Sequence, residues 1–228
     1  MKIFKAAVYH YTYGEPSNPY CMNDISRLKH LAVILGYDDI DTYCDNRTPS
    51  EEHEEFDRML ANIDSYDALF VTTYAHINKY TGKALEIVHT LSNKGIKIYS
   101  LHQSPIIFGE SPDFDKPLKV ATYYCHWGRH LDIDNQVIKN DILKLFIQKK
   151  TAWTLTKQYS DTAKKGRAGK QLQLEQMIKD KGNIDLILVH SFASIHWRTT
   201  DFFQYKDLLF TDILSLQEGF LRKEHKAW

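Results

Sequence analysis

Apolar and polar positions along this chain fall into alternating short runs of two kinds. The stretch from about Phe4 to Tyr11 reads as a buried strand. A polar loop with Pro16 and Pro19 follows. In "NDISRLKHLAVILG" the apolar residues Ile25, Leu28, Leu31, Ala32 and Leu35 recur at helical spacing, with Asn23 or Asp24 as cap and Gly36 as stop. "DIDTYCD" predicts a short strand. "SEEHEEFDRMLANI" predicts a helix whose first turn carries Ser50 and several acids, which suits the positive end of the helix dipole. "YDALFVTTY" predicts a buried strand, "YTGKALEIVHTLSNKG" a helix ended by Gly95, and "IKIYSLH" a closing strand.

The second half repeats this order more loosely. Strands are expected at about Leu118–Tyr124, Trp153–Gln158, Asp185–His190 and Phe210–Leu216, and helices at about Asn135–Lys149, Lys170–Lys181 and Thr199–Lys206. Three blocks align between the halves. "KAAVYHYTYG" (5–14) matches "KVATYYCHWG" (119–128), "FDRMLANIDSYDALFVTTYAHI" (56–77) matches "LEQMIKDKGNIDLILVHSFASI" (174–195), and "YSLHQS" (99–104) matches "LSLQEG" (214–219). All three keep the same order, which predicts a tandem duplication. The expected architecture is α/β: two similar units, each a mostly parallel sheet of four to five strands flanked by helices. The boundaries are 1–104 for the first unit, 105–117 for a proline-bearing linker and 118–228 for the second unit.

The layout strand–YxRxS–helix–strand–acidic turn–helix–D(V/L)(V/L)V–DRxxR–helix–(V/I)xxxSL resembles the catalytic domain of serine recombinases, the resolvase and invertase group. "DALFV" with "TTYAHINK", and "EIVHTLSNKGIKIYSL", carry the likeness in the first half. "EQMIKDKGNIDLILVHSFASI", "SLQEG" and the loop "YSDTAKKGRAG" carry it in the second. The resemblance implies a resolvase-like fold, DNA as substrate, a serine that attacks the phosphodiester and arginines that neutralise it. The residues at those places differ. The serine place is Tyr13 in one half and Trp127 in the other, and the first arginine place is Tyr11 and Cys125. The later arginine places read His76 and Lys79, then Ser194 and Trp197, with Arg198 one position out of register. Phosphoryl transfer depends on preorganised positive charge, so the expectation is a pseudoenzyme at vestigial positions Tyr11, Tyr13, His76, Lys79, Cys125 and Trp127.

Other chemistry at these places is less favoured. A tyrosine nucleophile at Tyr13 has an ordinary pKa of about 10 and needs a base and a cationic cradle. Cys125 would need a lowered pKa and a base. His10, His76, His126, His190 and His196 gather near strand ends, but no HxH or HxxxH spacing with an acid occurs, so neither metal nor cofactor is expected.

Charge adds one feature. Net charge is zero, yet residues 1–114 hold 10 basic and 16 acidic residues while residues 115–228 hold 19 and 13. A balanced total argues against a dedicated nucleic-acid binder. Locally, Lys149 to Lys170 contains seven basic residues and one acid, and Lys164, Lys165, Arg167 and Lys170 on its glycine-bearing loop are candidates to follow a phosphate backbone. The three cysteines, Cys21, Cys44 and Cys125, form no CxxC pair, which fits reduced thiols in a cytoplasmic protein. No apolar run approaches the roughly 20 residues of a membrane span, and the polar N-terminal stretch does not suit a secretory leader.

The function expected is non-enzymatic: association with DNA recombination, with DNA or another recombinase-like protein as partner and a homodimer as the assembly. Two other classes stay open. A small-ligand receptor or enzyme would use Tyr11, Tyr13, Tyr74 and His76, or Cys125, Trp127, Phe192 and His196, to line aromatic strand-end clefts for nucleotides. A structural oligomerisation module would use neither.

Overall fold

The computed structural model describes residues 4–12, 19–46, 53–127, 133–163 and 171–223. The chain divides into two compact units, Met1–Lys79 with Lys83–Pro105, and Tyr80–Gly82 with Ile106–Trp228.

The first unit runs β1 (Lys5–Thr12), α1 (Pro19–Ile34), β2 (Asp39–Asn46), α2 (Glu54–Ala61), β3 (Ala68–Val71), α3 (Thr81–Asn93, whose first residues group with the second unit) and β4 (Lys97–Ser100). Its four strands pair in the order β2-β1-β3-β4, all parallel. Within β1 the run Ala6–Tyr9 is buried because both faces of the sheet are covered. Ala6 and Val8 pack with Leu28 and Ala32 of α1 on one face, while Tyr9, on the opposite face, packs its ring 4.8 Å from Phe56 of α2. Gly36 and Gly95 stop α1 and α3 with positive φ.

The second unit runs β5 (Phe108–Gly109), β6 (Leu118–Trp127), α4 (Ile133–Gln148), β7 (Trp153–Ala163), α5 (Leu172–Asp180), β8 (Leu186–Val189), α6 (Thr199–Leu209), β9 (Asp212–Ser215) and β10 (Gly219–Leu221). Its sheet order is β5-β10-β9-β8-β6-β7. The parallel strands β7-β6-β8-β9 repeat the order of the first sheet, and antiparallel β10 and β5 extend the β9 side. A one-residue bulge at Thr156 shifts the β6–β7 register, and the Thr156 hydroxyl donates to the Val120 carbonyl at 3.1 Å.

Three details depart from the sequence expectations. Residues 105–117 are not simply a linker: Phe108–Gly109 pairs with β10, and Phe114 stacks on Trp153 at 5.5 Å in the second core. Phe210, expected to open a strand, ends α6 in the left-handed conformation with φ +46°, the place that Gly95 fills in the first unit. β7 runs on to Ala163, beyond the expected Gln158. No helix among the described residues is long and apolar enough to cross a membrane.

Candidate functional site

The carboxyl ends of β1 and β3 bring Tyr11 and His76 together. Strand alternation sends Tyr9 and Tyr11 to one face and His10 to the other. His10 is buried, and its Nδ1 lies 2.8 Å from the Thr72 hydroxyl just past β3. The chain then turns through a short 3-10 segment, Tyr74–His76. There His76 Nδ1 accepts a hydrogen bond from the Tyr11 backbone N–H at 3.3 Å. The rings of His10 and His76 meet edge-on at 4.9 Å, and Tyr11 lies 6.1 Å from His76 and 5.6 Å from His53. Burial, reinforced by His10 and His102, pushes the His76 pKa down to about 3. Burial also lowers that of His10, partly offset by Asp24. Two neutral imidazoles therefore occupy the strand mouth at neutral pH. Lys79 is exposed beyond the turn. Tyr13 lies outside the described residues.

Beneath this mouth is a polar device that the sequence reading missed. The Tyr9 hydroxyl donates to Asp45 Oδ2 at 3.0 Å, and both residues are buried. Asp45, at the end of β2, also accepts from the backbone N–H groups of Glu55 and Phe56, each at 3.0 Å. These are among the free donors at the start of α2, so a strand residue caps the following helix. Ser50, the expected helix starter, lies outside the described residues, and α2 begins at Glu54.

The second unit repeats the device. Tyr123 donates to Asp161 Oδ2 at 3.1 Å, and Asp161 accepts from Gln173 and Leu174 at the start of α5, at 3.1 and 2.9 Å. Gln171 adds a partner, donating 2.8 Å bonds to the Tyr123 hydroxyl and the Ile195 carbonyl. A signal was present: "YCD" (43–45) and "YSD" (159–161) lie near the ends of corresponding strands. A further pair matches, since Gln103 accepts from the Tyr74 N–H at 2.6 Å and Glu218 accepts from the Phe192 N–H at 3.1 Å.

At the second strand mouth, Cys125 is buried beside this network. Burial first, and Asp161 second, push its thiol up to about 12, which suppresses the thiolate a nucleophile needs. The Trp127 indole donates to the Ala193 carbonyl at 2.9 Å and sits 4.7 Å from the His196 ring. Burial lowers the His196 pKa, opposed by Asp201 at 3.2 Å. Ser194 is buried, and the Arg198 guanidinium stacks 4.9 Å over the Trp197 ring. Lys164, Lys165, Arg167 and Lys170 lie outside the described residues. Among the described residues, no three His, Cys, Asp or Glu side chains are grouped to hold a metal ion.

Against known families, residues 20–118 match the model described as Resolvase, N terminal domain. That match runs from the start of α1 to the start of β6 and covers less than half of the chain. Structures similar to this chain include the N-terminal catalytic domain of TP901-1 integrase, 22% identical over 42% of this chain and 76% of that one, with a TM-score of 0.34. The C-terminal catalytic domain of ISC1926 TnpA, an IS607-like serine recombinase, is 16% identical over 78% and 97%, with a TM-score of 0.38. A solute-binding protein of an ABC transporter from Actinobacillus succinogenes 130z, with bound D-allose, is 17% identical over 82% and 68%, with a TM-score of 0.30. Superpositions this partial carry no functional information. Comparison with curated proteins returns no match.

Proposed function

We propose that this resolvase-like protein is catalytically silent and acts by binding rather than by cutting. It would consist of two degenerate copies of one unit, 1–104 and 118–228, separated in sequence by residues 105–117. The observation that carries the reading is the neutral His10–His76 pair at the first strand mouth. Phosphoryl transfer needs fixed positive charge around the phosphate, and a buried and a half-buried imidazole that both resist protonation supply none. The second mouth agrees with this, because its cysteine is held as a thiol and its tryptophan is tied to a backbone carbonyl. Common strand order and the repeated Tyr–Asp–helix device support the duplication.

The partner in this reading is DNA or another recombinase-like protein, with a homodimer as the assembly and the basic loop of Lys164, Lys165, Arg167 and Lys170 as the DNA contact. The test is incubation with supercoiled recombination-site DNA, followed by denaturation and a search for covalent protein–DNA adducts. The expected result is neither adduct nor nicking. An adduct that disappears in Tyr13→Phe would overturn the proposal. A gel-shift titration in low and moderate salt tests the DNA contact separately, with the charge-reversed loop as control.

A further inference from the structure

The two sheets differ at one edge, although the residues along that edge are nearly the same. β4 and its counterpart β9 read "KIYSL" (97–101) and "DILSL" (212–216), with Ile98 and Ile213, Ser100 and Ser215, and Leu101 and Leu216 at matching places. In the first unit the Lys97 and Leu101 N–H groups donate inward, to the Asp67 and Val71 carbonyls of β3 and its approach. Strand alternation then turns the backbone groups of Ile98 and Ser100 outward. In the second unit this outward side is occupied. β10 lies antiparallel on it, with Gly219 opposite Ser215, Phe220 opposite Leu214 and Leu221 opposite Ile213. In the first sheet β4 is the last strand, and among the described residues none pairs with its outer side.

The local cause is visible in the turn. β9 folds back into β10 through Gly219, which has φ +102°. That conformation is cheap for glycine and costly for other residues. The matching position in the first half is Ser104, followed by Pro105, whose ring fixes φ near −65°. The chain therefore runs on to pair Phe108–Gly109 with β10, and does not form a hairpin on β4.

We propose that the outer edge of β4 is an acceptor for an extended segment of a partner protein, added antiparallel with the pattern of β10: glycine, then two large apolar residues. β10 itself is the template, because it satisfies an edge with the same isoleucine and serine. The incoming apolar residue opposite Tyr99 takes the place Phe220 takes opposite Leu214. Tyr99, half-buried and stacked on Phe70 at 4.9 Å, has surface left to give. Main-chain bonds along an open edge supply affinity in such additions, and alternate side chains supply specificity. β4 is short and begins with exposed Lys97, features that restrain indiscriminate edge pairing. This site is independent of whether the strand mouths are silent.

The test uses the whole protein and the synthetic hexapeptide of Glu218–Lys223 as probe. Arg222 donates its N–H to Ile107, on the β5 side, so the Leu221 N–H faces β9. A peptide N-methylated at the Leu221 amide should therefore lose binding at least about tenfold, while one methylated at the Phe220 amide should bind like the parent. Equal loss with both, or no saturable binding of the parent peptide, overturns the proposal. Amide exchange gives a second reading: Ile98 and Ser100 should exchange faster than Tyr99 and Leu101 in the free protein and slow when peptide is added. Protection in the free protein at every concentration would mean the chain covers its own edge. Protection that grows with protein concentration would mean a second copy does. Either result overturns the assignment to a partner segment.

Discussion

Asp45→Ala is the sharpest test of the device under the first strand mouth. The change removes three hydrogen bonds at once: one from Tyr9 and two from the start of α2. Loss of a helix cap costs about 1 kcal/mol. Leaving the hydroxyl of Tyr9, which is 0% exposed, without its acceptor costs about 1–3 kcal/mol more. The expected loss is about 2–4 kcal/mol, a large part of a small domain's stability. Tyr9→Phe alone should cost about 1 kcal/mol, since Asp45 keeps both backbone donors. In the Asp45→Ala background the same change should cost nothing or restore stability, because it deletes the orphaned hydroxyl. The assay is urea unfolding of both single variants and the double. All four tryptophans stand at position 127 or beyond, so their fluorescence reports the second unit, and amide exchange across β1 and β3 reports the first. Additivity of the two changes within about 0.5 kcal/mol would refute the coupling. In the second unit Tyr123 keeps its bond from Gln171. Asp161→Ala should therefore fall at the lower end of the range, about 2 kcal/mol.

Three further outcomes follow from the same geometry. His76 has its folded pKa pushed from 6.5 down to about 3, so between those values the unfolded chain binds the extra proton. Stability is full above pH 6.5 and falls as pH drops toward 3, with a slope of up to about 1.4 kcal/mol per pH unit; His76→Gln should flatten the urea-midpoint profile, and an unchanged profile would remove His76 as the cause. Cys125, with its thiol near 12, should resist iodoacetamide at pH 8 in the folded protein, with mass spectrometry locating the label, whereas Cys44 is only partly covered and should react faster. Phe210 holds φ +46° and is 48% exposed, so Phe210→Gly gives up little burial and relieves strain. It should raise stability by about 1 kcal/mol in tryptophan-detected unfolding, and a loss of that size would show that the phenyl ring is needed.

The helices and strands were legible because their signals are local. Ile25, Leu28, Leu31 and Ala32 announce α1 within a few residues, and "ALFV" announces a strand covered on both sides. What stayed hidden depends on distance along the chain. Asp45 caps α2 and holds Tyr9, 36 residues upstream, so no window of a dozen residues contains the relation. Phe108–Gly109 is a strand only because β10, more than 100 residues later, offers it an edge. The prolines nearby announced a linker, and the pairing was decided elsewhere. Phe210 misled for another reason. Its side chain suits a strand, while its backbone fills a position that prefers glycine, and tertiary context overrode the local preference. At the strand mouth, residue types were legible and protonation was not, because burial sets it.

If the mouths are silent, packing helps to keep them so. An arginine placed at Cys125 would put a guanidinium where the present side chain is 2% exposed. Asp161 is the nearby anion, but its carboxylate already receives Tyr123 and two helix N–H groups. Drawing it toward a new cation would uncap α5, and leaving the cation unpaired would cost several kcal/mol. At His76 a cation would sit beside His10 and take away the acceptor of the Tyr11 N–H. Both positions are already tied into hydrogen-bonded surroundings. A new cation would therefore require rebuilding the α5 cap behind the second mouth and the Tyr11–His76 contact at the first.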